Sequence, residues 1–247
     1  MPADGDFAMG LGFRSLLLAV AFGCAGVYGG NAVACGTGGY TYAGVSASSH
    51  AYGISATITP LSAFSVVSGH VAGWVGVGGP KQGPAGTDEW LQVGFSGFPT
   101  VAGSSLYYEL TLPNKAPSYH EIASGVPAGK AQRVAVLEIA GRLDWWRVWV
   151  NGKPASAPIH LPSSHGRWAP IATAESWDGG GGGSCNGFLY RFSAVSVASA
   201  PGGSWQPLVG GYSITSPTTR LARGHAGPSF LAAEGPLALR TLSTFSS

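Results

Sequence analysis

Charge is sparse in this chain: Asp, Glu, Lys and Arg make up 10% of its 247 residues, and 13 basic against 11 acidic side chains leave a formal net charge of +2. Phosphate neutralisation needs dense stripes of Lys and Arg, so nucleic acid is excluded as a partner, and no RNP-like or helix-turn-helix pattern argues otherwise. Long apolar runs are missing too. The run from Leu16 to Phe22 is broken by Gly23, Gly26, Gly29, Gly30 and Asn31, well short of the roughly 20 unbroken apolar residues of a membrane span. The six histidines include no His-Glu-x-x-His pair or other tight ligand spacing, so neither a metal site nor a cofactor is expected. No repeat period marks a solenoid or propeller.

Glycine and proline are abundant. With 40 Gly and 17 Pro, the chain is punctuated at short intervals, which suits many short strands joined by turns and excludes long helices. At this length one β-sandwich domain buries a sizeable core.

The first segment reads as an export signal. Arg14 precedes the apolar run, and Ala32-Val33-Ala34 is a small-x-small cleavage pattern. The expected organisation is a signal peptide over 1–34, a sandwich over 35–200, and a Gly/Ser/Pro-rich tail over 201–247 that is partly ordered at most. Cleavage after Ala34 leaves Cys35 and Cys185, an even pair suited to a disulfide in an oxidising compartment. Lipidation of Cys35 is a competing reading, although Ala32 stands where a lipobox usually has Leu, and two free thiols are a third. Either way the protein is expected to be secreted or held at the cell surface.

Runs rich in β-branched and aromatic residues predict strands over 52–59, 70–77, 90–96, 106–112, 133–139, 145–150, 168–175 and 188–197. Trp145-Trp146-Arg147-Val148-Trp149-Val150 runs into Asn151-Gly152, the strongest short-range hairpin signal, with a further short strand over 158–161. Two glycine-rich stretches, 76–86 and 179–183, read as loops. The economical architecture is all-β: two antiparallel sheets in a sandwich of the concanavalin-like jelly-roll kind.

Some tempting motifs fail on chemistry. The glycine runs are not followed by Lys-Ser/Thr at a helix start, so they are not phosphate loops. Gly94-Phe95-Ser96-Gly97-Phe98 lacks the final glycine of a nucleophile elbow. Strand alternation instead singles out a pair. Along 90–95 it sets Gln92 apart from the apolar row Leu91, Val93 and Phe95, and along 171–175 it leaves Glu175 needing a groove or solvent.

These residues sit in a wider series: Gly73-Trp74-Val75-Gly76-Val77-Gly78-Gly79, then Leu91-Gln92-Val93-Gly94, Tyr107-Tyr108-Glu109-Leu110 and Ala174-Glu175. The series resembles the glutamic peptidases of the eqolisin family, in the same order over roughly 52–197. That resemblance implies a concave cleft, a catalytic pair on Gln92 and Glu175, and substrate-binding residues on Trp74, Tyr108 and Glu109. The substrate would be a polypeptide. Here Glu175 is followed by Ser176-Trp177-Asp178 where the family usually continues Ala-Glu-Trp, Gly78 stands where it often has an acid, and 81–89 enlarge the loop before Gln92.

Two rival readings remain open at this point. Eight Trp residues on a concanavalin-like sheet suit a non-catalytic, lectin-like carbohydrate binder with polysaccharide as partner. Alternatively, Glu109 and Glu175 form the carboxylate pair of a glycoside hydrolase.

Overall fold

A computed structural model describes residues 38–183, 185–224 and 228–235. The expected signal segment lies outside the described residues, as does Cys35. Cys185 is disulfide-bonded.

In chain order the strands are β1 (Tyr40–Ser46), β2 (Gly53–Pro60), β3 (His70–Gly79), β4 (Glu89–Gly97), β5 (Ser104–Thr111), β6 (Ser118–Val126), β7 (Gln132–Glu138) and β8 (Trp145–Val150). They continue with β9 (Lys153–Pro154), β10 (Ile159–His160), β11 (Ile171–Trp177), β12 (Phe188–Ala198), β13 (Trp205–Pro207), β14 (Tyr212–Thr215), β15 (Thr219–Arg223) and β16 (Phe230–Glu234). One sheet runs β14-β1-β11-β3-β4-β5-β6; the other runs β10-β8-β7-β2-β12-β16-β15, with β13 on β12 and β9 on β8. The fold is the all-β sandwich of two antiparallel sheets that the composition demands. No helix among the described residues is long and apolar enough to cross a membrane.

Period-2 alternation builds the core. Ile54, Ala56 and Ile58 of β2, Val71 and Val75 of β3, Leu91, Val93 and Phe95 of β4, and Phe188, Tyr190 and Phe192 of β12 face one another between the sheets, each at 1% exposure or less. Trp146 and Trp168 close one end of this cluster, their ring centroids 6.3 Å apart. The β8–β9 hairpin turns at Asn151 (φ 50°) and Gly152 (φ 78°), the two left-handed residues that a type I′ turn requires.

Two expectations need correction. The glycines after Trp74 do not open a loop at once, since β3 continues through Gly79 in register with Glu89 of β4. Nor does the sandwich end near 200. β14 pairs with β1 and β16 pairs with β12, and all five residues of β16 are buried. The stretch over 205–234 therefore supplies strands to both sheets, because an apolar segment such as Phe230-Leu231-Ala232-Ala233 is stabilised more by joining the core than by staying in solvent.

Candidate active site

On β4, Gln92, Gly94 and Ser96 occupy the face opposite the core residues Leu91, Val93 and Phe95. Antiparallel pairing then fixes their neighbours, because directly opposed residues share a face. Gln92 lies opposite Gly76 of β3 and Glu109 of β5, while Gly94 lies opposite Trp74 and Tyr107. Glu175 of β11 lies opposite Ala72, which lies opposite Ser96. Glu175 and Gln92 thus stand on one face of one sheet.

The two side chains line a single cavity of about 200 Å³ together with His70, Tyr107, Glu109 and Tyr119. Gln92 and Glu175 are 8% and 5% exposed, so the floor of this cleft is largely shielded from water. Gln92 Nε2 donates to the Tyr107 hydroxyl at 3.0 Å. That nitrogen carries two hydrogens, and the second is left over for a ligand. Glu175 Oε1 stands 3.4 Å from His70 Nε2. The Trp90 indole N–H donates to Glu109 Oε1 at 3.1 Å. Burial pushes the Glu109 carboxyl above the usual range, and the Trp90 bond opposes that shift.

The tyrosines stay protonated here. Burial, reinforced by the negative charge of Glu175 and Glu109, raises Tyr40 to about 12, and burial pushes Tyr107 well up. Tyr107 also stacks on Tyr119, ring centroids 4.9 Å apart, and the Tyr119 hydroxyl meets Ser96 Oγ at 2.8 Å. Strand positions on this face include Glu109, Glu121 and Glu175 but neither Lys nor Arg among the described residues. The cleft is therefore an acidic surface floored by polar groups and walled by aromatic rings.

The end of the cleft near His70 is pinned by Asn186, which is 2% exposed. Its Oδ1 accepts from Val67 N at 2.8 Å and Ser68 N at 3.3 Å, and its Nδ2 donates to the carbonyls of Ser68 (2.8 Å) and Trp177 (3.1 Å). One amide thereby ties the entry to β3 to the end of β11. Replacing it with Ala leaves buried backbone groups unpaired, so Asn186→Ala is expected to lower stability by about 2 kcal/mol in urea unfolding. A change below 0.5 kcal/mol would contradict that role.

Gln92, Glu175 and Glu109 line one cavity. Trp74 shares their face of the sheet but is not among the residues lining the cavity. It fits there because its partner is Gly94: a Cβ on Gly94 would stand 2.0 Å from the Gly73 carbonyl oxygen and 2.6 Å from the Trp74 Cα. Tyr108 is a correction. It points to the other side of β5, packs against the core cluster and stacks on His120 at 4.5 Å. Two adjacent strand residues cannot face the same way, so once Glu109 lines the cleft its aromatic neighbour there is Tyr107.

His70 and Tyr107 were not among the site residues expected from the sequence. Counting back by two from Trp74 through Ala72 reaches His70, and counting back by two from Glu109 reaches Tyr107, so strand parity alone would have found both. Tyr40 and Phe98 also line the cavity, but they sit at or just beyond strand ends, where parity gives no guide.

No protein-family model matches the sequence, and no curated protein matches it. Solved structures do match the fold. Scytalido-glutamic peptidase, solved with a transition state analog inhibitor, superposes with a TM-score of 0.56 at 16% identity, over 80% of this chain and 98% of the peptidase. SCP-B, a member of the eqolisin family of peptidases solved with the tripeptide Ala-Ile-His, gives a TM-score of 0.53 at 17% identity, over the same 80% and 98%. The chain has a glutamic-peptidase-like fold.

Proposed function

We propose that this protein is an exported endopeptidase of the glutamic type, with Glu175 as general base and Gln92 as oxyanion donor. The observation that supports this reading is the convergence of both side chains on one cavity of one sheet, in a fold shared with glutamic peptidases. Glu175, as carboxylate, takes a proton from a water molecule whose oxygen attacks the peptide carbonyl. The carbonyl oxygen becomes an oxyanion, and the second N–H of Gln92 Nε2 donates to it. Collapse of the tetrahedral species breaks the C–N bond, and Glu175 returns its proton to the departing amine.

The neighbours have roles that follow from their contacts. His70 restrains one oxygen of Glu175, and the other has no side-chain hydrogen bond among the described residues. Tyr107, by accepting one N–H of Gln92, sets the direction of the other. Tyr107→Phe removes that acceptor but keeps the ring, so kcat/KM is expected to fall about tenfold, the rate equivalent of one modest hydrogen bond. The loss should appear in kcat with KM nearly unchanged, because the oxyanion exists only in the transition state.

The direct test is digestion of an unfolded protein by the full chain from acidic to neutral pH, with fragments identified by mass. Internal cleavages with free carboxyl and amino ends support the proposal. An intact substrate across the whole range, with the enzyme folded, overturns it.

A further inference from the structure

The two outward faces of the sandwich carry opposite charge. On the sheet that holds β7 and β8, the register places Arg133, Arg147, Arg191 and Arg220 on the outer face, and no strand position of that face carries Asp or Glu among the described residues. On that same face, across the molecule from the acidic cleft, lies a groove of about 310 Å³ lined by Arg133, Ala135, Leu137, Ser55, Trp149 and Trp205.

Its aromatic rings are unoccupied, in contrast to their neighbour on β8. Trp145 is stacked on His160, with centroids 5.1 Å apart, and capped by the Arg142 guanidinium at 4.1 Å. Trp149 and Trp205 have no such ring or cation partner among the described residues, and Trp205 is 37% exposed. Three polar atoms of this face, Ser55 Oγ, Arg147 Nε and the Trp149 indole nitrogen, are buried without a hydrogen-bond partner. Native proteins leave few such groups unpaired.

We infer that this groove is a second binding site, for a linear anionic polysaccharide of the polyuronate class. Pyranose rings present flat C–H faces that lie on indole rings, which attract them through the negative face of the π-system. The Arg133 guanidinium in the groove, with Arg147 opposite the groove residue Leu137, pairs with the carboxylates between the rings in a geometry that Lys does not offer. A protein partner would bury an apolar patch ringed by polar residues, whereas the charged residue lining this groove is Arg133, on a face whose charged strand positions are all basic among the described residues. Such a site would hold the enzyme on an acidic matrix with its cleft on the opposite face left clear.

The test is affinity electrophoresis of the full chain in gels containing polygalacturonate, its methyl-esterified form, or no polymer. Anionic vesicles and duplex DNA serve as alternative anions in a parallel sedimentation assay. Retardation by polygalacturonate is expected, weakened by salt as charge pairing demands, with none by the esterified polymer. Arg133→Ala and Trp205→Ala should each weaken binding about tenfold while peptide cleavage and the thermal midpoint stay unchanged. Lys115→Ala, off this face, should have no effect. No retardation, retardation unaltered in both groove variants, or stronger binding to vesicles or DNA would each overturn the inference. Because cleavage is assayed separately, failure here leaves the peptidase proposal standing, and the reverse also holds.

Discussion

Glu175→Gln is expected to reduce kcat/KM for an unfolded polypeptide about a hundredfold to ten-thousandfold, and Gln92→Ala about a hundredfold to a thousandfold. The first removes a general base that contributes roughly 10²- to 10⁴-fold, and the second an oxyanion donor worth roughly 10²- to 10³-fold. Both changes act on side chains whose neighbours hold their own places. Among the described residues Glu175 has a single side-chain partner, His70 at 3.4 Å, and Gln92 has Tyr107 at 3.0 Å, so the thermal midpoint should move by only a few degrees. The double variant should be little worse than the weaker single one, since base and donor serve one transition state. Activity surviving either substitution would remove the pair from the mechanism. Loss of activity together with loss of folding would say nothing for the pair, which is why the unfolding midpoint is measured on the same samples.

Stability should fall as pH rises from about 4.5 toward 7, and Glu89 should account for the largest single part of that fall. Strand alternation puts Glu89 on the core side of β4 with Leu91, Val93 and Phe95. Its carboxyl is fully buried, and neither oxygen has a hydrogen-bond partner. Burial, with the charge of Asp144 adding to it, raises the group from 4.5 to about 7. Below 4.5 both folded and unfolded chains keep the proton, so the neutral acid is tolerated and the full stability is present. Between 4.5 and about 7 the unfolded chain has lost the proton while the folded chain retains it, so each rise in pH favours unfolding. Above 7 both forms are ionised and the loss levels off. The full difference is roughly 3 kcal/mol. Glu109 and Glu234 are raised by burial as well and slope the same way, so the diagnostic is the comparison with Glu89→Gln. That variant should flatten most of the decline in urea midpoints between pH 4.5 and 7. A wild-type midpoint that does not change with pH, or a decline that Glu89→Gln leaves intact, would contradict the assignment.

Much of this architecture could be read from the sequence wherever local pattern and burial agree. β3, β4, β7, β8 and β12 are rich in β-branched and aromatic residues, and one face of each lies on the core, so composition and alternation pointed the same way. The Asn151-Gly152 turn was legible because its backbone needs two left-handed residues. Other strands were hidden for identifiable reasons. β6, Ser-Tyr-His-Glu-Ile-Ala-Ser-Gly-Val, is an edge strand with mostly exposed positions, so it lacks an apolar row. β1, Tyr-Thr-Tyr-Ala-Gly-Val-Ser, has its apolar pattern interrupted by Gly44, where it runs close to β11: a Cβ there would stand 2.3 Å from the Ala172 carbonyl oxygen. β16, Phe-Leu-Ala-Ala-Glu, is made of residues that favour helices in isolation, and burial between neighbours overrides that preference.

The site followed the same logic. Gln92 and Glu175 were visible as polar residues in strands whose other face is apolar, and the family resemblance joined them. What no single strand could reveal was register, which sets Glu175 of β11 and Gln92 of β4 on one face by way of β3. His70 and Tyr107 were within reach of parity along their own strands, and Tyr108 was misplaced because the Tyr-Glu pair was read as one unit despite the alternation of its side chains. The groove on the other sheet likewise emerges only when Trp149 of β8 and Trp205 of β13, 56 positions apart in the chain, are brought together by the fold.

Binding of a transition-state mimic tests the central claim most directly, because it reads the complementarity of the cleft without depending on how fast a chosen substrate turns over. A peptide with a tetrahedral, hydroxyl-bearing centre in place of the scissile carbonyl should be titrated by calorimetry at acid pH, alongside its unmodified parent and against wild type, Gln92→Ala and Glu175→Gln. The account predicts that wild type binds the mimic at least about a hundredfold more tightly than the parent, and that this preference collapses in both variants. Equal affinity for mimic and parent, or a preference that persists when Gln92 and Glu175 are gone, would contradict it.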